Sequence, residues 1–342
     1  MSNLINWSLA EVWNQVAYKE NKPLQARDYV YASEIGMPMY DRYLKMRGVP
    51  YTNPPNDRSL RKFLAGNVWE HVTKQILIAV GVYHQEEVKI DAAPYADCLS
   101  VHGRCDFVAG GYVDEETAVR AVSALNLPDF LVTVAHKLID ALQGKTLIRK
   151  ILELKSVSTF AMDKVERVKS AMPNHSLQAY HYQKNGGILA EVCYICKDDC
   201  RMAQFPIDPN AAETLYRQDL EKITHYFKKK KEPPKEQLCV FDEGLGKFSK
   251  NLGVEYSPYL SHYGFKNPDA YRESVSFIDK WNRALARYAL AEMGATTPTG
   301  KPIVITPKNA DVKIEIEKAK FDFKKLLQIK LEVGEVIEEE AA

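Results

Sequence analysis

The sequence predicts an α/β fold in which a mixed β-sheet is flanked by helices, with an added helical part towards the C-terminus. Three observations predict it. Stretches of helical periodicity alternate with short apolar runs of strand character. Two pairs of those runs read as hairpins, while a fifth run, ILELKSVS at 151–158, stands alone between helical segments. The resulting order (helix, hairpin, insert, strand, helix, hairpin, helix) suits a mixed sheet better than a doubly wound parallel one. The chain has 342 residues and 46% hydrophobic composition, enough for one large domain or two smaller ones.

The elements follow in chain order. Residues 1–25 read as a polar-faced helix carrying Trp7 and Trp13. Residues 31–48 read as a second helix, with Ser33 as its N-cap, Glu34 behind it and Gly48 as its stop. A Pro-rich loop at 51–57 precedes the clearest amphipathic pattern, 59–80, whose stripe runs through Phe63, Leu64, Val68, Val72, Ile76 and Ala79. Strands at 86–91 and 99–111 form the first hairpin. An insert at about 112–146 holds a helix over 128–142 with Pro128 in its first turn. After the strand at 151–158, residues 173–187 read as a helix ended by glycines, and 188–208 as two strands around a Lys-Asp-Asp turn. Residues 209–231 form a helix whose lysine-rich end suits the negative pole of the helix dipole. Beyond 232 the pattern weakens. Residues 244–268 are turn-rich and aromatic, 268–294 read as a helix, and the acidic end reads as frayed. The expected division is therefore 1–231 and 232–342, the second part helical and irregular.

The net charge is +1, so no global field attracts a polyanion, although a local basic groove suffices for nucleic acid. The N-terminus lacks the basic and apolar regions of a signal peptide, and no apolar run is long enough for a bilayer. Six irregularly spaced cysteines suit reduced thiols better than a disulfide framework, so a cytoplasmic location is expected, or a host cytoplasm for a phage protein. Cys193, Cys196 and Cys200 suggest a metal site, but the odd spacing of the first two puts them on opposite faces of a strand. His71, His175 and His181 read as solvated or core residues.

The chemistry starts at Glu153 and Lys155. Two residues apart in a strand, they share one face. By itself this pair reads as an ordinary salt bridge. Upstream, Asp106 sits among apolar neighbours in a second strand, where an acid is unfavourable. If the two strands are adjacent, Asp106 and Glu153 converge, and their mutual repulsion is relieved by a divalent cation. Lys155 on the same face then orients a water or steadies charge on a phosphoryl group.

Asp106 followed by Glu153-Leu154-Lys155 resembles the D…(D/E)xK signature of the PD-(D/E)xK nuclease superfamily. The RecB-like and lambda-exonuclease-like branch adds a G-x-x-x-(H/E) helix before the sheet, matched by Gly66 to Glu70, and a Q-x-x-x-Y helix after it, matched by Gln178 to Tyr182. The resemblance spans about residues 30–230. It implies a restriction-endonuclease-like core and Mg²⁺ (or Mn²⁺) held by Asp106, Glu153, the Leu154 carbonyl and Glu70, with His71 as the alternative to Glu70. On a helix those two neighbours point about 100° apart. It further implies that Lys155 positions the attacking water, and that Gln178 and Tyr182 hold Lys155 or the substrate. The implied activity is metal-dependent hydrolysis of DNA, leaning to an exonuclease in recombination, repair or phage DNA processing, with a recombination or helicase partner. A structure-specific endonuclease and a catalytically inactive DNA-binding module are the alternatives. Lys228, Lys229 and Lys230 with Tyr226 are candidate DNA contacts, though a lysine-rich helix end is more often simply solvated. The chain departs from the pattern in its long insert and in its cysteines. The segments that resemble the branch's cluster-binding positions carry Met, Pro and Tyr, so no iron–sulfur cluster is expected.

Overall fold

The computed structural model describes residues 24–242 and 247–276, with positions 8, 11, 13–15 and 282 besides. The helix expected over 1–25, including Trp7, and the C-terminal end fall largely outside these residues. The chain divides into two compact units, residues 1–50 with 54–234, and residues 51–53 with 235–342.

The first unit is built on a five-stranded mixed sheet. Its strands are β2 (Tyr83–Lys89), β4 (Arg104–Tyr112), β5 (Thr146–Val157), β6 (Ala190–Cys196) and β7 (Met202–Pro206), adjacent in that order. β5 and β6 run parallel and every other pair is antiparallel. This is the mixed α/β arrangement of a restriction-endonuclease-like core. β6 is buried along nearly its whole length, as expected of a strand covered on both faces. A separate short parallel pair joins β1 (Val30–Tyr31) to β3 (Val101–His102).

The helices are α1 (Met39–Met46), α2 (Asp57–Ala79), α3 (Glu115–Ala124), α4 (Asp129–Leu142), α5 (Thr159–Val168), α6 (Pro173–Gly186) and α7 (Pro209–Lys229). α2 starts on Asn56, whose side chain accepts from Ser59 N–H. Its Trp69 and Leu77 pack against Phe107, Leu154, Cys193 and Ile195 on one face of the sheet. Glu153, next to Leu154, points to the other face, where Gln178 of α6 bonds it. α2 and α6 therefore cover opposite faces. Among the described residues no helix is long and apolar enough to cross a membrane.

Several expectations are corrected. The helix read over 31–48 is a 3₁₀ turn (Ala32–Glu34) followed by α1, because Gly36 takes a left-handed conformation (φ 76°) and Pro38 brings no N–H. Ser33 caps nothing; Pro38 stands at the N-cap of α1. The strand read over 99–111 is broken at Gly103 into β3 and β4. The insert holds two helices, not one. Pro128 precedes α4 at its N-cap, and the insert's Val122, Ala135 and Ile139 form a core with Ala79, Val80 and Val82. α5 was not anticipated at all. On α2 the expected apolar stripe is displaced, and Phe63 and Val68 are 62% and 53% exposed.

The second unit contains an antiparallel pair, β8 (Cys239–Asp242) with β9 (Lys247–Lys250), then α8 (Leu252–Glu255), a 3₁₀ turn (Leu260–Tyr263) and α9 (Pro268–Ser274). Val254, Leu260, Tyr271 and Val275 form its core. The helix expected over 268–294 ends at Ser274, whose hydroxyl donates to the Tyr271 carbonyl and competes with the helical ladder. Most of its remaining length lies outside the described residues.

Candidate active site

The site is made by a mismatch in strand length. β4 begins at Arg104, while β5 runs on to Val157, bonded beyond Leu152 only to β6 on its other side. The last β4–β5 partners are Phe107 and Leu152, so the next pair in antiparallel register is Asp106 opposite Glu153. The Leu154 N–H points to the exposed edge and donates to Asp106 Oδ2 at 2.6 Å. A strand residue's N–H and C=O share an edge, so the Leu154 carbonyl faces the same gap.

Glu153 is 1% exposed, and its Oε1 is heavily used. It accepts from Lys155 Nζ at 2.6 Å and from Gln178 Nε2 at 2.7 Å. Its Oε2 is buried with no hydrogen-bond partner. Leaving a buried acceptor unsatisfied costs about 1–3 kcal/mol, more for a charged group. Glu153 and Lys155 do form the salt bridge that their spacing suggests, and that bridge occupies only one of the two carboxylate oxygens.

Gln178 and Tyr182 lie on one face of α6, as their spacing requires. Neither bonds Lys155. Gln178 donates to Glu153 and to the Tyr182 hydroxyl (3.1 Å), and Tyr182 donates to the Arg104 carbonyl (2.9 Å). Both are buried. They brace Glu153 against the start of β4, a job the sequence reading missed because it looked for a partner in the cation. His175, one turn earlier on the same face, bonds the Tyr194 hydroxyl at 2.9 Å. That hydroxyl also accepts the Met172 N–H, so Tyr194 ties the ring to the start of α6. Tyr194 is the register partner of Lys155, so both rise from the same face of the sheet. From the sequence His175 stands at the start of the helix that carries Gln178 and outside the metal shell; its hydrogen bond to Tyr194 is legible only in the fold. His181 is structural, bonding Tyr216 and the Ile90 carbonyl.

Electrostatics follow from this geometry. Burial, then the charge of Glu153, holds the Asp106 carboxyl well above the usual range, with Lys155 opposing. Burial also raises Glu153, again against Lys155. Burial alone would lower Lys155, but Glu153 and Asp106 outweigh it and the net shift is upward, so it stays an ammonium. Burial pushes His175 down to about 4, helped by Lys155, which keeps the ring neutral.

Glu70 and His71 of α2 line an open cleft of about 550 Å³ with Asn67, Lys74, Glu87, Arg104 and Asp106. Glu70 is raised by burial and feels Lys155. Among the described residues no group of three His, Cys, Asp or Glu side chains is close enough to hold a metal ion together. The donors that the strand register brings to the gap are Asp106, Glu153 and the Leu154 carbonyl, and Glu70 lines the cleft with Asp106. Hard oxygen donors few in number suit Mg²⁺ or Mn²⁺, which keep several waters. The orphaned Oε2 of Glu153 supplies an independent sign that the set fits a cation. Lys228, Lys229 and Lys230 are exposed at the end of α7, where Lys228 donates to the Asp97 carbonyl. Neither they nor Tyr226 line the cleft.

No protein-family model matches the chain, and no curated protein matches it. Among solved structures it is similar to SSO0001, at 13% identity and TM-score 0.38, over 65% of this chain and 87% of that one. It is also similar to LHK-Exo, an alkaline exonuclease from Laribacter hongkongensis, at 13% identity and TM-score 0.31 over 64% and 97% of the two chains. The complex of LHK-Exo with dAMP gives 15% identity and TM-score 0.35 over the same shares. At these TM-scores the likenesses carry no argument about the chemistry of this chain.

Proposed function

We infer that the protein is a divalent-metal-dependent nuclease that hydrolyses phosphodiester bonds in DNA. The observation that carries this reading is the buried, partnerless Oε2 of Glu153, a residue whose strand position falls opposite Asp106 at a bare edge, with an ammonium on its other carboxylate oxygen. Asp106 and Glu153 would hold Mg²⁺ or Mn²⁺, aided by the Leu154 carbonyl, with Glu70 completing the shell directly or through water. A cation bound there supplies Lewis-acid stabilisation of the phosphoryl oxygens and a more acidic water. Lys155, kept charged by its neighbours, donates hydrogen bonds and acts as a positioner of the nucleophile, not as a base. Gln178 and Tyr182 fix the Glu153 carboxylate so that no reorganisation is needed when substrate arrives. His175, kept neutral by burial, lies on the Lys155 side of the sheet. The order of motifs resembles an exonucleolytic branch, so ends are the favoured point of attack.

The test is digestion of end-labelled linear DNA beside a closed circle, with Mg²⁺, Mn²⁺ or EDTA. The parent is expected to degrade linear DNA only, and only with metal. Lys155→Ala is expected to lose at least a hundredfold in rate while melting within a few degrees of the parent. Cutting of the circle would replace the exonuclease reading by an endonuclease one. Absence of cutting with either metal would overturn hydrolysis.

A further inference from the structure

The stripe of α2 that lines the cleft does not end at the cleft. Asn67, Glu70 and Lys74 recur at helical spacing on one face, and Phe63 belongs to the same stripe one turn earlier. Phe63 is 62% exposed, a large aromatic side chain held in water on a helix that packs Trp69 and Leu77 against the sheet. It lies seven positions before Glu70, about 10 Å along the axis. Here α2 runs close to β5: a Cβ on Gly66 would meet Ser156 Oγ at 3.5 Å.

Two further elements reach the same place. Lys197 N–H donates to the Val157 carbonyl, so the β6–β7 turn sits at the end of β5. Thr159 N–H donates to Asp198 in that turn, which fixes the start of α5 beside it. There Phe160 is 76% exposed. The Lys197 ammonium is lowered by burial and then by the nearby charge of Lys62, so two lysines share this corner, against Asp198 already spent on capping Thr159.

Exposed aromatic rings next to lysines, continuous with a cleft that ends at a phosphate-handling site, are the ingredients of a single-strand platform: rings stack bases and lysines hold phosphates. A paired base has no free face for such stacking, so the surface selects unpaired nucleotides. We propose that Phe63 and Phe160, with Lys62 and Lys197, form a docking surface for single-stranded DNA, or the frayed end of a duplex, that leads the strand to the Asp106–Glu153 site. The surface rests on the hydrolytic reading only for its direction; its binding stands alone.

The experiment measures binding of a single-stranded oligonucleotide containing 2-aminopurine to the full chain carrying Lys155→Ala, and to the parent in EDTA. Adding Phe63→Ala is expected to abolish fluorescence quenching and weaken binding about tenfold or more, whereas Phe63→Trp retains both. Lys62→Ala with Lys197→Ala is expected to flatten the salt dependence while the quench remains. Phe63 is exposed, so its replacement leaves folding intact, which the melting temperature checks. Equal affinity and quench with and without Phe63, or no affinity for single strands, would overturn the proposal. Cleavage is scored separately. A parent that cuts nothing but binds through Phe63 sinks hydrolysis and upholds the surface. A parent that cuts while Phe63→Ala binds unchanged does the reverse.

Discussion

Glu153 has one carboxylate oxygen that accepts two hydrogen bonds and another that accepts none. That asymmetry is held in place by Gln178, Tyr182 and the Arg104 carbonyl, none of which a DNA strand needs to touch. At the same scale His175 makes a pH prediction. Its folded pKa, about 4, lies below the ordinary 6.5, so its stabilising contribution is full above 6.5 and is lost as pH falls through about 4. His175→Gln removes that titration. Urea unfolding across this window should show the parent losing up to about 3 kcal/mol more than the variant on the acid side. Parallel profiles would place His175 in water instead. The meeting of Asp106 and Glu153 is readable from sequence because an acid inside an apolar strand is conspicuous and strand alternation fixes its face. The partner of Gln178 is not readable, since i,i+4 spacing tells which residues share a helix face and not what lies opposite.

Among the elements, α2 was the hardest to read. It serves several neighbours at once, packing Trp69 and Leu77 on the sheet, Ala79 against the insert, and Asn67 and Glu70 along the cleft. Apolar residues consequently surround it, and periodicity alone picked a stripe that includes the exposed Phe63 and Val68. The insert helices were half-legible for a related reason: α3 is short, and its buried Ala118 and Val122 match a core that α2 and α4 complete together with Val80, Val82, Val113 and Leu147. Two glycines separate packing from motif. A Cβ on Gly103 would lie 2.7 Å from Tyr182 Cε1 and 2.8 Å from Ala32 Cβ, where the break between β3 and β4 lets α6 approach. Gly103→Ala should therefore destabilise by about 1–3 kcal/mol and, by shifting Tyr182, loosen Glu153 and slow cleavage. Gly66→Ala meets only ordinary contact and should be neutral or stabilising by up to about 1 kcal/mol, because alanine favours helix. Thermal melts of both variants decide this; equal effects would mean that Gly103 is no tighter a fit than Gly66.

At the scale of the whole molecule, a net charge of +1 disguises strong local differences. Acids gather at the gap beside β5, while Lys197 of the β6–β7 turn and Lys62 of α2 stand near the end of that strand. The order of elements, and with it the mixed sheet, follows from hydrophobic patterning; the gap does not, because it depends on where β4 starts relative to the end of β5. Its consequence for stability is global. The Asp106 pKa is raised in the fold, so in the metal-free protein its contribution is full below the ordinary aspartate range and is lost as pH rises through the folded value. Asp106→Asn escapes that loss but gives up a ligand. The most direct measurement is the melting temperature of parent and Asp106→Asn at mildly alkaline pH, in EDTA and in saturating Mn²⁺. A unit of this size gains about 2–4 °C for each kcal/mol. The order of the two proteins should invert: the variant melts higher in EDTA, and the parent melts higher in Mn²⁺ because only it binds the ion at the site. A variant that melts lower in EDTA, or an equal Mn²⁺ shift in both proteins, would contradict a cation held between Asp106 and Glu153.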